Sequence, residues 1–555
     1  MEFEGVGIGE SNFKMLRMQK LYFIDKSLYI KDIIDNTNKV VLVTRPRRFG
    51  KTLNMSMLKY FFDCDSKDSK EIFKGLKIME QGEKYTSQMG AYPCLYLTLK
   101  DVNDSNYENM ILNLKTAILE MYREHMYLLE SDKLYEFEKT KMMDMLYTRE
   151  DEATLKTSVR EISGYLNRHY NKPVMLFIDE YDVPIQAAYI NGYYEKAIDF
   201  LKSFFGATFK DNPYLEKTVL TGVSRVAKES IFSGANNFKV YTVLDDEFAD
   251  DFGITSAEVD KALKDFKLED QKEEVKKWYD GYRIGNVEEI YNPWSLFNFL
   301  VDKKLVPYWV NTSSNDLIKR TLKNSVTVKG KMERLLKGET IEVPINLETI
   351  IVDIENNEDN IWGLMLGTGY LKVVEQVDRK KYKVKLPNYE IKTLFEDIID
   401  DWFKDKVISN DLESILQDLV NLNLKDFENK FRVLVEEMFS YMDVGKNTAE
   451  NFYHAFVLGM LVGLKDSYYV NSNRESGFGR YDIMLEPQDK NQNSFIIEFK
   501  VADEMDEPSL EQAVENGKKQ IEEKDYENSL KERGFSNITK MVFAFKGKEF
   551  KIAVL

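Results

Sequence analysis

A short apolar run that leads through a tight polar loop into a helical pattern constrains this fold more than any other feature of the chain. The run covers residues 39–44, the loop reads Arg45-Pro-Arg-Arg-Phe-Gly-Lys-Thr52, and the helical pattern covers residues 53–62. Strand, tight loop, Gly-Lys-Thr and helix, in this order, form the context that a phosphate-binding P-loop requires. The sequence therefore predicts a parallel sheet whose first strand ends at a phosphate site.

The loop departs from the common P-loop pattern at its start. The usual first glycine is replaced by Arg45, and Pro46 removes one backbone N–H donor, so we expect the loop to turn differently. Its end keeps the expected chemistry. Gly50 and the following N–H groups can hold phosphates, Lys51 can reach the β and γ oxygens of ATP, and Thr52 can bind Mg²⁺.

Two acids that follow a second apolar run supply the partner motif. Residues 174–178 are apolar and lead into Asp179 and Glu180. We expect Asp179 to hold Mg²⁺, directly or through water, and Glu180 to polarise the attacking water. Two acids at a strand end are common, but their pairing with Gly-Lys-Thr makes a purely structural explanation weak.

The loop also carries two adjacent arginines, for which two roles are consistent with the sequence. Arg47 and Arg48 lie within reach of the phosphates or of a neighbouring subunit, and an arginine finger would stabilise transition-state charge. An ion pair with Glu180 or Asp182 explains them equally well. We predict that Arg48 contacts the nucleotide.

A second set of chemical groups lies near the C-terminus, on two apolar strand patterns. Asp482 opens one strand, and Glu498 and Lys500 occupy alternate positions of the next, so the latter two share one face. If the strands pair as a hairpin, Asp482 lies beside them. Two carboxylates form a hard-oxygen site for Mg²⁺ or Mn²⁺, and the ammonium can orient a water. This pattern predicts a site that cleaves a phosphodiester.

These residues resemble the PD-(D/E)XK nucleases, with Tyr481 at the position of the family's proline. The strings SNRESGFGRYDI and IIEFK, together with RPRRFGKT, resemble bacterial proteins in which an AAA-ATPase-like domain precedes such a nuclease domain. The resemblance implies an α/β protein with three parts. We expect a doubly wound, P-loop AAA-like domain over residues 1–254, a mainly helical and winged-helix-like middle region over 255–428, and an α/β nuclease-like domain over 429–555.

The same resemblance implies a third metal ligand. Glu450 begins an E-x-F-Y-H string in a predicted amphipathic helix and matches the family's helical glutamate, which would join Asp482 and Glu498 at the metal. An acid that complements the dipole at a helix N-terminus explains Glu450 nearly as well.

Further residues are expected in the two sites by resemblance alone. Thr221 and Arg225 follow a short apolar strand and match the sensor position that reads the γ-phosphate, although a capped turn explains them nearly as well. Gln520 and Tyr526 match the glutamine and tyrosine that follow the catalytic strand in RecB-like nucleases. We expect these two, with Arg480, on the substrate side.

Composition limits the partners and the compartment. The 555 residues include 77 Lys and Arg against 94 Asp and Glu, a net charge of −17. This argues against a protein that coats DNA regardless of sequence, but local basic patches could still serve a nuclease. The chain has two cysteines, and its N-terminus lacks an apolar signal region. It also lacks an apolar segment of about 18 residues. These features predict a cytoplasmic protein without a membrane span.

We therefore predict an ATP-binding and hydrolysing protein fused to a Mg²⁺-dependent nuclease that acts on nucleic acid, with DNA the first candidate. Covalent fusion of two complete sites suggests that nucleotide state gates cleavage. The alternative is a nucleotide-dependent switch or interaction protein whose nuclease fold binds nucleic acid without cutting it. An AAA-like core also allows a homo-oligomer, either a ring or a dimer.

Overall fold

The computed structural model divides the chain into two compact units, Met1–Leu394 and Phe395–Leu555. The structure describes residues 3–147, 151–210, 212–224, 238–309, 326–336, 338–347, 360–407, 411–439, 457–458, 460–464, 467–472, 475–476, 479–480, 482–502, 509–546 and 549–555. Arg225 and Glu450 lie outside these ranges. The predicted division at residues 254 and 428 stays a prediction.

The first unit is built on a five-stranded parallel sheet. Its strands are β1 Val40–Thr44, β2 Cys94–Thr98, β3 Val174–Asp179, β4 Leu215–Gly222 and β5 Phe238–Tyr241. Their order is β2-β3-β4-β1-β5, and every neighbouring pair is parallel. Parallel strands bring their carboxyl ends to one edge of the sheet, so the residues that follow β1, β3 and β4 meet there.

Both faces of this sheet are covered by helices. Leu42 and Leu176 pack in one apolar cluster, whereas Val41 and Phe177 pack in another, as alternation along buried strands requires. The helices are Phe13–Met18, Leu28–Asp35, Lys51–Phe62, Ser69–Ile72, Glu83–Thr86, Tyr107–Arg123, Glu136–Leu146, Glu152–Tyr170, Val183–Ile190 and Tyr194–Phe209. The predicted doubly wound α/β class is confirmed.

The rest of the first unit combines helices with two small antiparallel sheets. The helices are Ser256–Phe266, Lys272–Tyr279, Pro293–Asp302, Val326–Leu336, Asn360–Gly367 and Tyr389–Val407, the last of which begins in this unit. One sheet has the order β6-β8-β7, with β6 Ile254–Thr255, β7 Tyr282–Ile284 and β8 Val287–Tyr291. The other has the order β10-β11-β9, with β9 Ile341–Pro344, β10 Lys372–Asp378 and β11 Lys381–Lys385.

The second unit contains a mixed five-stranded sheet of order β12-β15-β16-β17-β18. Its strands are β12 Tyr468–Ser472, β15 Ile483–Pro487, β16 Ser494–Val501, β17 Ile538–Lys546 and β18 Glu549–Val554, while β13 Glu475–Ser476 and β14 Gly479–Arg480 form a separate short pair. Strands β16 and β17 are parallel, and the other neighbours in the large sheet are antiparallel.

Helices cover both faces of this second sheet as well. Residues of Asp411–Val420 and Leu424–Phe439 share one apolar cluster with Ile497 and Phe499 of β16. Residues of the helix Leu510–Lys524 share the opposite cluster with Ile496. Glu498 and Lys500 therefore project toward the side of the helix Leu510–Lys524. The short helix Asn528–Glu532 follows.

Candidate functional site

The P-loop leads from β1 into the helix Lys51–Phe62 as the sequence predicts. Gly50 caps this helix with φ at 83°, in the left-handed region that favours glycine. Lys51 is buried, and its Nζ donates to the carbonyls of Arg45 and Pro46 at 3.1 and 2.9 Å. Burial lowers the pKa of Lys51, whereas nearby acids, Glu180 foremost, oppose that shift. A buried ammonium within a loop at a helix N-terminus suits an anionic ligand.

Arg45, in place of the usual glycine, is an internal anchor of the loop. Its guanidinium is fully buried and donates to the carbonyls of Thr44, Thr242 and Phe248 at 2.9, 2.9 and 2.8 Å. Burial lowers its pKa to about 10, still far above neutral, so the side chain remains charged. Arg45 thus ties the end of β1 to the segment that follows β5, which explains how this loop turns without the common glycine.

A buried carboxylate joins the P-loop to the two neighbouring strands. Asp179, at the end of β3, accepts hydrogen bonds from Thr52 Oγ1 at 2.7 Å and Thr221 Oγ1 at 2.5 Å. Thr221 is in position because β4 lies between β1 and β3. A P-loop hydroxyl against a buried carboxylate is the donor set that Mg²⁺ takes beside nucleotide phosphates. The residues present therefore fit a Mg²⁺–ATP ligand.

Glu180 follows Asp179 in an unusual backbone conformation. Its φ is 55°, in the left-handed region, which costs a non-glycine residue free energy and is often found at functional sites. Burial raises the pKa of Glu180, and the positive charge of Lys51 works in the opposite direction. Asp182 has a structural contact instead, since its Oδ2 accepts from the backbone N–H and the hydroxyl of Ser224, each at 2.7 Å.

The two loop arginines contact different partners. Arg48 has φ at 66°, and its guanidinium stacks on the ring of Trp294 at 4.2 Å from the ring centre. Arg47 Nη2 donates to Gln186 Oε1 at 3.4 Å. Neither arginine forms an ion pair with Glu180 or Asp182 in the part of the chain that the structure describes. Arg225, predicted as a sensor, lies outside those residues.

One cavity of about 500 Å³, a size that suits a nucleotide, is lined by residues 47–52, Glu180, Asp182 and Gln186, among others. Besides the P-loop, Glu180 and Gln186, its lining includes residues of the N-terminal segment and of the helix Pro293–Asp302. Phe23 and Ile24 belong to the first of these, and Trp294 and Phe297 to the second. The aromatic residues around Trp294 carry no motif that marks them for this site, because ordinary packing explains such a string.

In the second unit, β15 and β16 pair antiparallel, with Ile483 opposite Ile497. This register brings Asp482 to β16, where its Oδ2 accepts from the backbone N–H of Phe499 at 2.8 Å. Lys500 Nζ lies 3.4 Å from Glu498 Oε1, and Glu498 is 1% exposed. The predicted acid, acid and lysine are thus brought together on neighbouring strands.

The helix Leu510–Lys524 adds a fourth group to this cluster. Gln520 Nε2 donates to the same Oε1 of Glu498 and lies 3.4 Å from the hydroxyl of Tyr526. Gly517 allows this close packing, because a Cβ there would lie 2.6 Å from Val542 and 3.3 Å from Lys500. Asp482 and Glu498 offer carboxylate oxygens that fit Mg²⁺ or Mn²⁺.

The side chains of Glu450 and Arg480, two further residues predicted for this second site, are not among those that the structure describes. Glu450, the expected third metal ligand, lies outside the described residues. For Arg480 the structure describes only the backbone, which pairs with Glu475 in the short β13–β14 ribbon.

Two parts of the chain match known protein families. Residues 7–232 match the family described as predicted AAA-ATPase, and residues 448–554 match the PD-(D/E)XK nuclease superfamily. The chain therefore carries a predicted AAA-ATPase-like domain followed by a C-terminal domain of the PD-(D/E)XK nuclease superfamily. It is also similar to a protein of Azotobacter chroococcum mcd 1 named "Uncharacterized protein in vnfD 5'region". The two are 24% identical over 397 residues, which cover 69% of this chain and 68% of that protein.

No helix among the described residues combines the length and the apolar character that crossing a lipid bilayer requires.

Proposed function

We propose that the chain binds and hydrolyses ATP at the P-loop cavity and cleaves nucleic acid, with DNA the first candidate, at the acidic cluster of its second unit. We further propose that the nucleotide state gates cleavage. The ATPase half rests on the buried Asp179 between the hydroxyls of Thr52 and Thr221. The nuclease half rests on Glu498, which Lys500 and Gln520 contact beside Asp482.

In the ATPase half, Lys51 and the loop N–H groups hold the phosphates, and Thr52 with Asp179 would hold Mg²⁺, which supplies charge neutralisation when bound. Glu180 accepts a hydrogen bond from the attacking water. The water oxygen forms a bond to the γ-phosphorus, and the bond from that phosphorus to the β–γ bridging oxygen breaks. The electron pair leaves on ADP, and the water's protons pass to the phosphate product and the medium.

In the nuclease half, Asp482 and Glu498 would hold Mg²⁺ or Mn²⁺, with Glu450 as the proposed third ligand. A bound metal supplies Lewis acidity at the phosphoryl oxygen. Lys500 orients the attacking water and stabilises charge that develops on the phosphate. One new P–O bond forms to the water oxygen and one ester P–O bond breaks. The attacking water releases a proton to the medium, and the leaving alkoxide takes up a proton from the medium.

The deciding experiment measures cleavage of labelled single- and double-stranded DNA with Mg²⁺ or Mn²⁺, with and without ATP. Wild type is compared with Lys500→Ala and Lys51→Ala. We expect Lys500→Ala to lose cleavage and Lys51→Ala to lose its ATP dependence. If Lys51→Ala cleaves as fast as wild type under both conditions, the gating proposal fails. If wild type binds DNA and metal but does not cleave, the nuclease half is replaced by the interaction-protein alternative.

We propose the three-part division at residues 254 and 428, and a cytoplasmic location in which the free Cys64 and Cys94 stay reduced. Homo-oligomerisation is compatible with an AAA-like core, and light scattering with and without ATP tests it.

A further inference from the structure

Arg47 is a charged residue that lines the same cavity as the residues proposed to act in ATP hydrolysis. It lines the cavity together with Lys51, Glu180 and Gln186. Burial is the main cause that lowers the pKa of Lys51 and raises the pKa of Glu180, and the positive charge of Arg47 makes a smaller, lowering contribution to both. Lys51 and Glu180 are the residues that the proposed hydrolysis uses at the γ-phosphate.

The side chain of Arg47 is oriented by a short chain of hydrogen bonds. Gln186 Oε1 accepts from Arg47 Nη2 at 3.4 Å. The amide nitrogen of Gln186 donates to Asp182 Oδ2 at 2.8 Å and lies 3.3 Å from Ser224 Oγ. Gln186 is therefore itself fixed against the end of β4, where Asp182 also accepts from Ser224. The guanidinium is thus linked through Gln186 to Asp182 and Ser224, which follow β3 and β4.

The backbone of Arg47 is fixed by a separate contact. Trp309 Nε1 donates to the carbonyl of Arg47 at 2.9 Å, and the backbone N–H of Trp309 donates to Glu390 Oε1 at 2.6 Å. Pro46, which precedes Arg47, packs close to Gly369, since a Cβ at that glycine would lie 2.9 Å from Pro46 Cβ. Because Arg47 is held through both its side chain and its carbonyl, its guanidinium keeps one orientation and is preorganised.

The neighbouring Arg48 provides the contrast. Its guanidinium stacks on Trp294 at the wall formed by the helix Pro293–Asp302. Arg48 is thus held against a ring, whereas Arg47 is held by the side-chain amide of Gln186. Two adjacent residues of one loop therefore direct their charges to different parts of the same cavity.

We propose that Arg47 is a catalytic residue of ATP hydrolysis, an arginine supplied in cis by the P-loop to the γ-phosphoryl group. The inference rests on the ATPase half of the proposed function. As the water oxygen bonds to the γ-phosphorus and the β–γ bridging bond breaks, negative charge on the transferring oxygens and on the leaving oxygen of ADP increases. The Arg47 guanidinium donates hydrogen bonds to those oxygens and is neither protonated nor deprotonated. Gln186 and Trp309 are its positioning residues.

The test compares Arg47→Gln, Arg47→Lys and Arg48→Gln in the full-length protein. We expect Arg47→Gln to lower kcat at least about 100-fold, because an arginine at the transferring phosphoryl group is worth about 10³ to 10⁵ in rate. The Kd for ATP should change by less than about 5-fold, since most of the stabilisation arises in the transition state. Arg47→Lys, which keeps the charge without the fork of donors, should recover part of the loss.

A binding readout makes the test independent of turnover. Mg²⁺, ADP and aluminium fluoride imitate the transferring phosphoryl group, and retention of radiolabelled ADP after rapid gel filtration reports that complex. We expect Arg47→Gln to lose retention while it still binds ADP alone. Arg48→Gln should mainly raise the Kd for ATP. Thermal unfolding checks that each variant is folded.

Three results would overturn the inference. The first is an Arg47→Gln variant with wild-type kcat and wild-type retention of ADP with aluminium fluoride. The second is an equal loss of ATP affinity and kcat in Arg47→Gln and Arg48→Gln, which would mean that the loop as a whole was disturbed. The third is a wild-type protein that binds ATP but neither hydrolyses it nor retains the fluoride complex. That result refutes the proposed ATPase function, and the role of Arg47 fails with it.

Discussion

The indole N–H of Trp309 donates to the backbone carbonyl of Arg47 at 2.9 Å, although the two residues are 262 positions apart. The family match for the AAA-ATPase-like domain ends at residue 232, so a residue well beyond it supports the P-loop. The ring of Trp309 also packs against Tyr370 at 5.3 Å between ring centres. The cavity at the P-loop therefore depends on the middle part of the chain.

Replacing Trp309 by Phe should reduce turnover more than ATP binding. The variant keeps an aromatic ring beside Tyr370 but loses the donor to Arg47, which is worth about 1 kcal/mol, or about 5-fold. We expect kcat to fall by about that factor while the Kd for ATP stays within about 2-fold. Steady-state hydrolysis and ATP titration measure both. Trp278→Phe is the matched control, because Trp278 packs against Tyr389 instead. Equal effects in the two variants would contradict a positioning role.

Replacing Thr221 by Val should destabilise the protein and weaken Mg²⁺–ATP binding. The change keeps the shape but leaves one oxygen of the buried Asp179 without its hydroxyl donor. A buried acceptor that loses its partner costs about 1–3 kcal/mol. Thr221→Ser retains the hydroxyl and should stay close to wild type. Urea unfolding and Mg²⁺-dependent ATP titration measure the difference, and identical behaviour of the Val and Ser variants would argue against this role.

Glu390 should make stability depend on pH. Burial raises its pKa from 4.5 to about 7, more than the hydrogen bonds from Trp309 and Ser295 lower it. Between about pH 4.5 and pH 7 the folded protein holds a proton on Glu390 that the unfolded chain has released. The free energy of unfolding therefore falls as the pH rises through this window, by about 3 kcal/mol for a shift of this size, and the effect levels off above pH 7.

Glu390→Gln removes this titration and provides the comparison. We expect the free energy of unfolding of wild type, relative to Glu390→Gln, to decrease by about 3 kcal/mol between pH 4.5 and pH 7.5. Urea unfolding followed by tryptophan fluorescence at several pH values measures it. Parallel pH profiles of the two proteins would show that Glu390 does not titrate in this range.

Replacing Gln520 by Leu should weaken metal binding and cleavage at the proposed nuclease site. Gln520 donates to Glu498, and loss of such an outer contact typically costs about 10- to 100-fold in metal affinity or activity. Mn²⁺ titration and DNA cleavage over a range of Mn²⁺ concentrations measure the effect. Gln512→Leu is the matched control, since Gln512 is exposed on the same helix. A wild-type metal dependence in Gln520→Leu would contradict this prediction.

Sequence patterns are sufficient to place site residues whose contacts are local or follow from the geometry of strands. Glu498 and Lys500 share a face because side chains alternate along a strand, and Asp482 reaches them through an antiparallel pair of consecutive strands in the large sheet. Asp179 and Thr52 meet because parallel strands end at one edge of the sheet. These placements follow from local periodicity and from a common topology.

Other contacts could not be predicted because no periodic signal marks them. Arg48 contacts Trp294, and the carbonyl of Arg47 contacts Trp309. Both tryptophans come from distant segments, and ordinary packing is a sufficient explanation for an aromatic residue in a sequence. Carbonyls that bind Arg45 belong to the turn after β5. Every residue has a backbone carbonyl, so the sequence does not indicate which ones will bind a side chain. Such contacts depend on tertiary packing, which one sequence does not reveal.

Arg45 has a consequence for anyone who wishes to exchange parts between P-loop proteins. A glycine at this position has no side chain that needs partners elsewhere in the fold. Here the buried guanidinium needs the carbonyls of Thr242 and Phe248, which lie 197 and 203 residues downstream. A graft of the loop alone would bury a charge without acceptors. The smallest transferable piece of this P-loop therefore includes the turn after β5 as well as the loop itself.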